Sequence, residues 1–144
     1  MVVAIATDVD LVRARAEGRA QAVALGFTRT DATLIATAIS EIARNIIVHA
    51  GQGRIAIRGL QEPERHGLVV VAEDDGPGIR DVEAALQDGR SGRGGFGLGL
   101  PGARRLMDEF EVVSAQDAGT TVTMTKWRVR TRLELLHARR SPGG

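Results

Sequence analysis

At 144 residues, 43 % of them apolar, the chain has the length of one ordinary domain and enough hydrophobic material for one core. Aromatics make up only 3 %, so that core must be aliphatic, and the absence of cysteine excludes a disulfide framework, a thiolate metal site and a thiol nucleophile. The net charge of +1 hides an asymmetry: from Lys126 to Arg140 six Lys or Arg stand against Glu134 alone, a local +5 against about −4 elsewhere.

With Trp127 as its one aromatic and no recognition motif, the basic end reads as a solvated tail over residues 128–144, not as a nucleic-acid surface. No apolar run approaches the roughly 20 residues of a membrane span, and the N-terminus lacks a charged-then-apolar signal pattern. A cytoplasmic protein with no membrane partner is expected.

VVAIAT (2–7) predicts a short strand. Asp8 is placed to cap a helix whose apolar residues Leu11, Val12, Ala16, Ala20, Val23 and Ala24 fall at helical spacing, and Gly26 stops it. Thr30 or Asp31 caps a second helix running to about Ala50, with a stripe of Leu34, Ile35, Ala38, Ile39, Ile42, Ile46 and Ile47. RIAIRGL (54–60) alternates as a half-buried strand does, EPERHG (62–67) reads as a turn, and LVVVAEDD (68–75) as a more central strand. DGPGI breaks it, DVEAALQD (81–88) has room for one or two helical turns, and LPGARRLMDEF (100–110) predicts a third helix. EVVSA (111–115) and TTVTMTKW (120–127) read as two strands joined by a turn at QDAG. The order β-α-α-β-β-loop-α-β-β predicts an α+β domain over residues 1–127, with helices covering one face of a mixed sheet.

Half of the fourteen residues in GRSGRGGFGLGLPG, 89–102, are glycine. A Walker A loop needs a lysine after its glycines, and the only lysine is Lys126. A dinucleotide fingerprint is literally present as GLGLPG. It should directly follow a hydrophobic strand, with an acidic residue at the end of the next strand, and neither condition is met. A floppy surface loop remains an alternative to a hinge that feeds unpaired N–H groups at a helix N-terminus to an anion.

Two further stretches favour the hinge. In EIARN, Glu41 and Asn45 are spaced i,i+4 and share a helix face, which His49 continues; an amide oxygen is a hard ligand and a carboxylate can act as a base. In EDDGPGI, an Asp leaving a strand before Gly-x-Gly offers a fixed acceptor beside open backbone. Each is commoner alone as an exposed polar face or an Asp-Gly turn.

In order, these pieces resemble the GHKL (Bergerat) ATP-binding fold, a two-layer α/β sandwich. Glu41-Ile-Ala-Arg-Asn45 resembles its N box, Asp74-x-Gly76-x-Gly78 its G1 box, Gly95-x-Gly97-Leu98-Gly99-Leu100 its G2 box, and Gly119-Thr120 its final Gly-Thr. The likeness spans roughly residues 2–127. ATAISEIARNIIVHA, VVVAEDDGPGI and GLGLPGARRLMDEFEV make the chain similar to the small bacterial serine/threonine switch kinases of the RsbT type, related to the RsbW and SpoIIAB anti-sigma kinases.

The resemblance implies ATP and Mg²⁺ as cofactors. It implies STAS-domain stressosome proteins (RsbS- or RsbR-like) as substrates, and a PP2C-type phosphatase (RsbU-like) as the target activated on release. The alternative it carries is an anti-sigma kinase that binds a sigma factor and phosphorylates a STAS-domain anti-anti-sigma factor. It further implies that Asp74 accepts from the adenine 6-amino group with support from Thr120, and that Gly76 and Gly78 let the base lie against backbone. Asn45 then ligates Mg²⁺, Glu41 orients or deprotonates the attacking hydroxyl, and Gly95, Gly97, Leu98 and Gly99 hold the phosphates. Arg93, in the lid between Ile79 and Gly94, is added here as a γ-phosphate charge stabiliser, with Arg90 as its rival.

Overall fold

The structure is a computed structural model that describes residues 1–79, 82–86 and 99–129, together with Leu133 and Leu136. Along the chain run β1 (Val2–Ile5), α1 (Asp8–Ala24), α2 (Arg29–His49), β2 (Gly53–Gln61), β3 (Arg65–Asp74), α3 (Val82–Ala85), α4 (Gly99–Leu106), β4 (Glu109–Ser114) and β5 (Thr120–Val129). The five strands form one sheet in the order β1-β2-β3-β5-β4.

Every pairing in that sheet is antiparallel, where the sequence suggested a mixed sheet. Connectivity explains the difference. Ile5, the end of β1, lies opposite Gly53, the start of β2, so the two helices between them return the chain to the end it left. The stretch holding α3 and α4 does send β4 in the same direction as β3, but β5 inserts between them and pairs antiparallel with both.

Both long helices begin slightly earlier than expected. Thr7, not Asp8, caps α1: its side chain accepts from the Asp10 N–H, and Asp10 reaches back to the Thr7 N–H at 3.0 Å, a capping box. The Ala6 and Thr7 N–H groups on the Asp10 carboxylate hold its pKa below the usual carboxylate value. Thr28, not Thr30 or Asp31, caps α2.

The face of α1 also differs from its hydrophobic reading. Val12 and Val23 are 50 % and 55 % exposed, and Ala16, Ala20 and Ala24 face outward too. The buried side is Leu11, Ala14, Gly18 and Ala22. Small residues win because α1 lies close on α2: a Cβ at Gly18 would come within 2.1 Å of Ile39 Cδ1.

The core is aliphatic, as the composition requires. Ile35, Ile39, Ile42 and Ile46 of α2 meet Val3 and Ile5, Ile55 and Ile57, Leu68 and Val70, and Val122 and Met124 from one side of the sheet, while Leu100, Ala103 and Met107 join from around α4. The alternate residues Arg54, Arg58 and Glu73 are not buried. Lys126, the chain's one lysine, donates to the Leu106 carbonyl at 2.9 Å, where it caps the C-terminal end of α4. Among the described residues no helix is long and apolar enough to cross a membrane.

Candidate functional site

α2, β3 and β5 converge at one end of the sheet. β3 ends at Asp74, which the ladder sets opposite both Gly53 and Thr120, the first residues of β2 and β5. The loop after Asp74 is packed down rather than left open. Its Pro77 carbonyl accepts from the Asp117 N–H in the β4–β5 turn, and the Ile79 N–H donates to Ser114 Oγ at 2.7 Å. Gly78 has φ +78°, and a Cβ there would lie 1.9 Å from the Ala115 carbonyl oxygen, so only glycine lets this loop meet the turn.

Behind the loop lies a pocket of about 330 Å³ lined by Asn45, His49, Asp74, Pro77, Gly78, Ile79, Ala85, Gly99, Leu100, Pro101 and Thr120. Five elements contribute besides the loop: the polar face of α2, the end of β3, α3, the first turn of α4 and the start of β5. The lining is mostly apolar with a few polar groups, the ordinary character of a small-molecule site.

Asp74 and Thr120 form its inner polar edge. Asp74 Oδ1 accepts from the Gly76 N–H at 2.9 Å, which fixes the carboxylate against its own loop. Thr120 is only 8 % exposed, and its hydroxyl lies 2.9 Å from Ser114 Oγ. Asn45 and His49, one helical turn apart, bring an amide and an imidazole to the opposite wall.

Asn45, Asp74, Gly78, Gly99 and Thr120 are thus brought together. Glu41 stands at the border, half-buried, with Oε2 accepting from the Gly99 N–H at 2.9 Å. Gly76 has a different neighbour: a Cβ on it would meet Ala50, just past the end of α2, at 2.6 Å. Arg90, Arg93, Gly95, Gly97 and Leu98 lie outside the described residues, as do residues 80–81 and 87–94 of the segment expected as a lid.

The sequence reading did not reach Ile79, Ala85, Pro101 or Ser114. The apolar three carry no chemical signal. Ser114 could have been noticed only by pairing the two strands of the last hairpin, where it falls opposite Thr120.

Residues 4–126 match the histidine kinase-like ATPase domain. The chain is 48 % identical over 125 residues to the serine/threonine-protein kinase RsbT of Bacillus subtilis (strain 168), covering 87 % of this chain and 94 % of that protein. It is 38 % identical over 104 residues to an anti-sigma F factor of Caldanaerobacter subterraneus subsp. tengcongensis, covering 68 % and 71 % respectively. In fold it is similar to the crystal structure of the RsbU and RsbW domains of a Mycobacterium tuberculosis protein, with a TM-score of 0.58 at 23 % identity; that match takes in 91 % of this chain and 33 % of that one. It is also similar to the mycobacterial sensor histidine kinase MprB, with a TM-score of 0.51 at 19 % identity over 90 % of this chain and 97 % of that one. The chain belongs to the histidine kinase-like ATPase domain family, and within it to the ATP-using serine/threonine kinases of the RsbT type.

Proposed function

We propose that this kinase phosphorylates a Ser or Thr of a STAS-domain stressosome protein (RsbS- or RsbR-like) in the cytoplasm, and that on release it activates a PP2C-type phosphatase (RsbU-like). The observation that carries the catalytic part is the meeting of Asp74, Thr120, Asn45 and Gly99 around one pocket. The choice of partners rests on the likeness to RsbT.

In this reading Asp74 and Thr120 accept from the amino group of the adenine, and Ile79 and Leu100 flank the base. The Gly99 N–H, at the start of α4, takes a phosphate oxygen, as helix N-termini do. The glycines before it and Arg93 belong to the same phosphate-holding segment.

Asn45 suits Mg²⁺ that arrives with the nucleotide. Its amide oxygen is a hard ligand on the pocket wall, and among the described residues no group of three His, Cys, Asp or Glu could hold a metal alone. When bound, the ion would be held by Asn45 and would supply positive charge to offset that of the phosphates. Glu41 takes the proton from the acceptor hydroxyl as its oxygen bonds to the γ-phosphorus; the bond to the ADP oxygen breaks, and ADP leaves. The kinase domain takes in residues 1–127 together with Arg128 and Val129 at the end of β5, where Arg128 donates to the Leu25 carbonyl at 2.7 Å.

The test is transfer of labelled γ-phosphate from ATP to a STAS-domain protein. A chain that binds ATP but leaves such proteins unlabelled is not this kinase. The identity to an anti-sigma F factor favours one rival, a kinase held by a sigma factor, and stable capture of a sigma factor would select it.

A further inference from the structure

Ser114 lies outside the pocket lining, yet it controls a group inside it. The ladder sets Ser114 opposite Thr120, and Thr120 opposite Asp74, so the three stand in a row across β4, β5 and β3. Ser114 Oγ has three neighbours: the Ile79 N–H at 2.7 Å, the Gly119 carbonyl oxygen at 2.8 Å and Thr120 Oγ1 at 2.9 Å.

A serine hydroxyl has one proton and two lone pairs. The Gly119 carbonyl has no proton, so the Ser114 proton goes to it. The Ile79 N–H uses one lone pair. The other faces Thr120, whose hydroxyl must then donate; if it turned its proton away, two oxygens would oppose lone pairs at 2.9 Å. Thr120 therefore offers the pocket acceptor capacity only. Beside it the Asp74 carboxylate is also an acceptor.

We propose that Ser114 is a specificity-determining positioning residue: by taking the Thr120 proton it makes the polar edge of the pocket select a purine with an exocyclic amino group over one with a carbonyl at that position. This rests on the pocket being the base site of a nucleotide. The amino group brings two hydrogens to two acceptors. A carbonyl brings lone pairs against both, and sites built to pair a polar group reject analogues that leave it unpaired.

Calorimetry with ATP and ITP, which carries a carbonyl in place of the amine, reads the selectivity directly. The unaltered chain should prefer ATP by on the order of 100-fold. In Ser114→Ala the Thr120 proton is released and can serve a carbonyl, so the ATP-to-ITP ratio should narrow about fivefold or more, the worth of roughly one hydrogen bond. Ser114→Thr keeps a hydroxyl and should keep the ratio. In a Thr120→Val background, adding Ser114→Ala should leave the ratio where Thr120→Val put it, because Ser114 acts through Thr120.

Should thermal melting show Ser114→Ala unfolded, Ser114→Cys, whose sulfur is a weak acceptor, should narrow the ratio in the same direction. Equal weakening of ATP and ITP by Ser114→Ala or Ser114→Cys, with the ratio unchanged, overturns the proposal and leaves the base site intact. An unaltered chain that binds both nucleotides equally well fails at the earlier step, the base site itself.

Discussion

Glu41 Oε2 accepts a 2.9 Å hydrogen bond from the backbone N–H of Gly99, the first residue of α4. The same N–H is the group a phosphate oxygen seeks at a helix start. Carboxylate and phosphate are both anions and cannot share it. In the proposed reading a phosphate oxygen takes this N–H, so nucleotide binding would part Glu41 from Gly99 and let its carboxylate turn toward an acceptor hydroxyl. Binding and chemistry should therefore separate at this residue. Glu41→Gln, which keeps an acceptor and drops the charge, should bind ATP at least as tightly as the parent and transfer phosphate about 10²-fold more slowly, the usual worth of a general base. The measurements are calorimetric Kd and kcat for γ-phosphate transfer; undiminished transfer removes Glu41 from the mechanism.

Asp74→Asn should all but abolish ATP binding. The Gly76 N–H already claims one side-chain oxygen at 2.9 Å. An asparagine satisfies that N–H only by keeping its oxygen there, which turns its NH₂ toward the base amine, donor against donor. The loss of a charged hydrogen bond, about 1.5–3 kcal/mol, corresponds to roughly 10- to 100-fold, and the opposed donors weaken binding further. Equal affinities of Asp74→Asn and the unaltered chain, measured by calorimetry, would sink the adenine assignment.

These residues were legible in the sequence because they sit on elements with strong local signals. Asn45 and Glu41 ride a helix whose buried isoleucines repeat at helical spacing, and Asp74 ends a strand whose middle, Leu68 to Ala72, is a continuous apolar run. What stayed hidden depends on tertiary contact. The buried side of α1 consists mostly of Ala and Gly, which a search for large apolar residues passes over. The place of β5 between β3 and β4 cannot be read from the order of elements. The Glu41 to Gly99 contact joins residues 58 apart in sequence, and Ser114 acquires its role only once three strands lie side by side.

Asn45→Ala should impair both steps. In the proposed reading its amide, on the pocket wall, holds the Mg²⁺ that arrives with the nucleotide. Removing it should then raise the Kd for ATP in the presence of Mg²⁺ and lower kcat as well, since the ion would serve both the bound phosphates and the transition state. In EDTA the affinities of variant and parent should converge. A defect of the same size with and without Mg²⁺ would mean that Asn45 contacts the nucleotide directly.

The wall formed by the loop after Asp74 can be tested by stability, with a control inside the same chain. Gly51 and Gly78 have similar dihedrals, φ +85° and +78°, both left-handed. An alanine at either costs about 1–2 kcal/mol in backbone strain alone. Their surroundings differ: a Cβ at Gly51 meets nothing within 4 Å, whereas one at Gly78 lies 1.9 Å from the Ala115 carbonyl oxygen and 3.3 Å from that of Gly119. Both oxygens are backbone of the hairpin that carries Ser114 and Thr120, so they cannot turn aside as a side chain would. Gly78→Ala must push the loop off the β4–β5 turn, breaking the contacts from the Asp117 N–H to the Pro77 carbonyl and from the Ile79 N–H to Ser114. Urea unfolding should show Gly51→Ala destabilised by the strain alone and Gly78→Ala by clearly more. Only Gly78→Ala should also lose ATP affinity, because its displaced loop is the pocket wall. Equal stabilities and equal affinities for the two variants would mean that the loop does not pack on the hairpin.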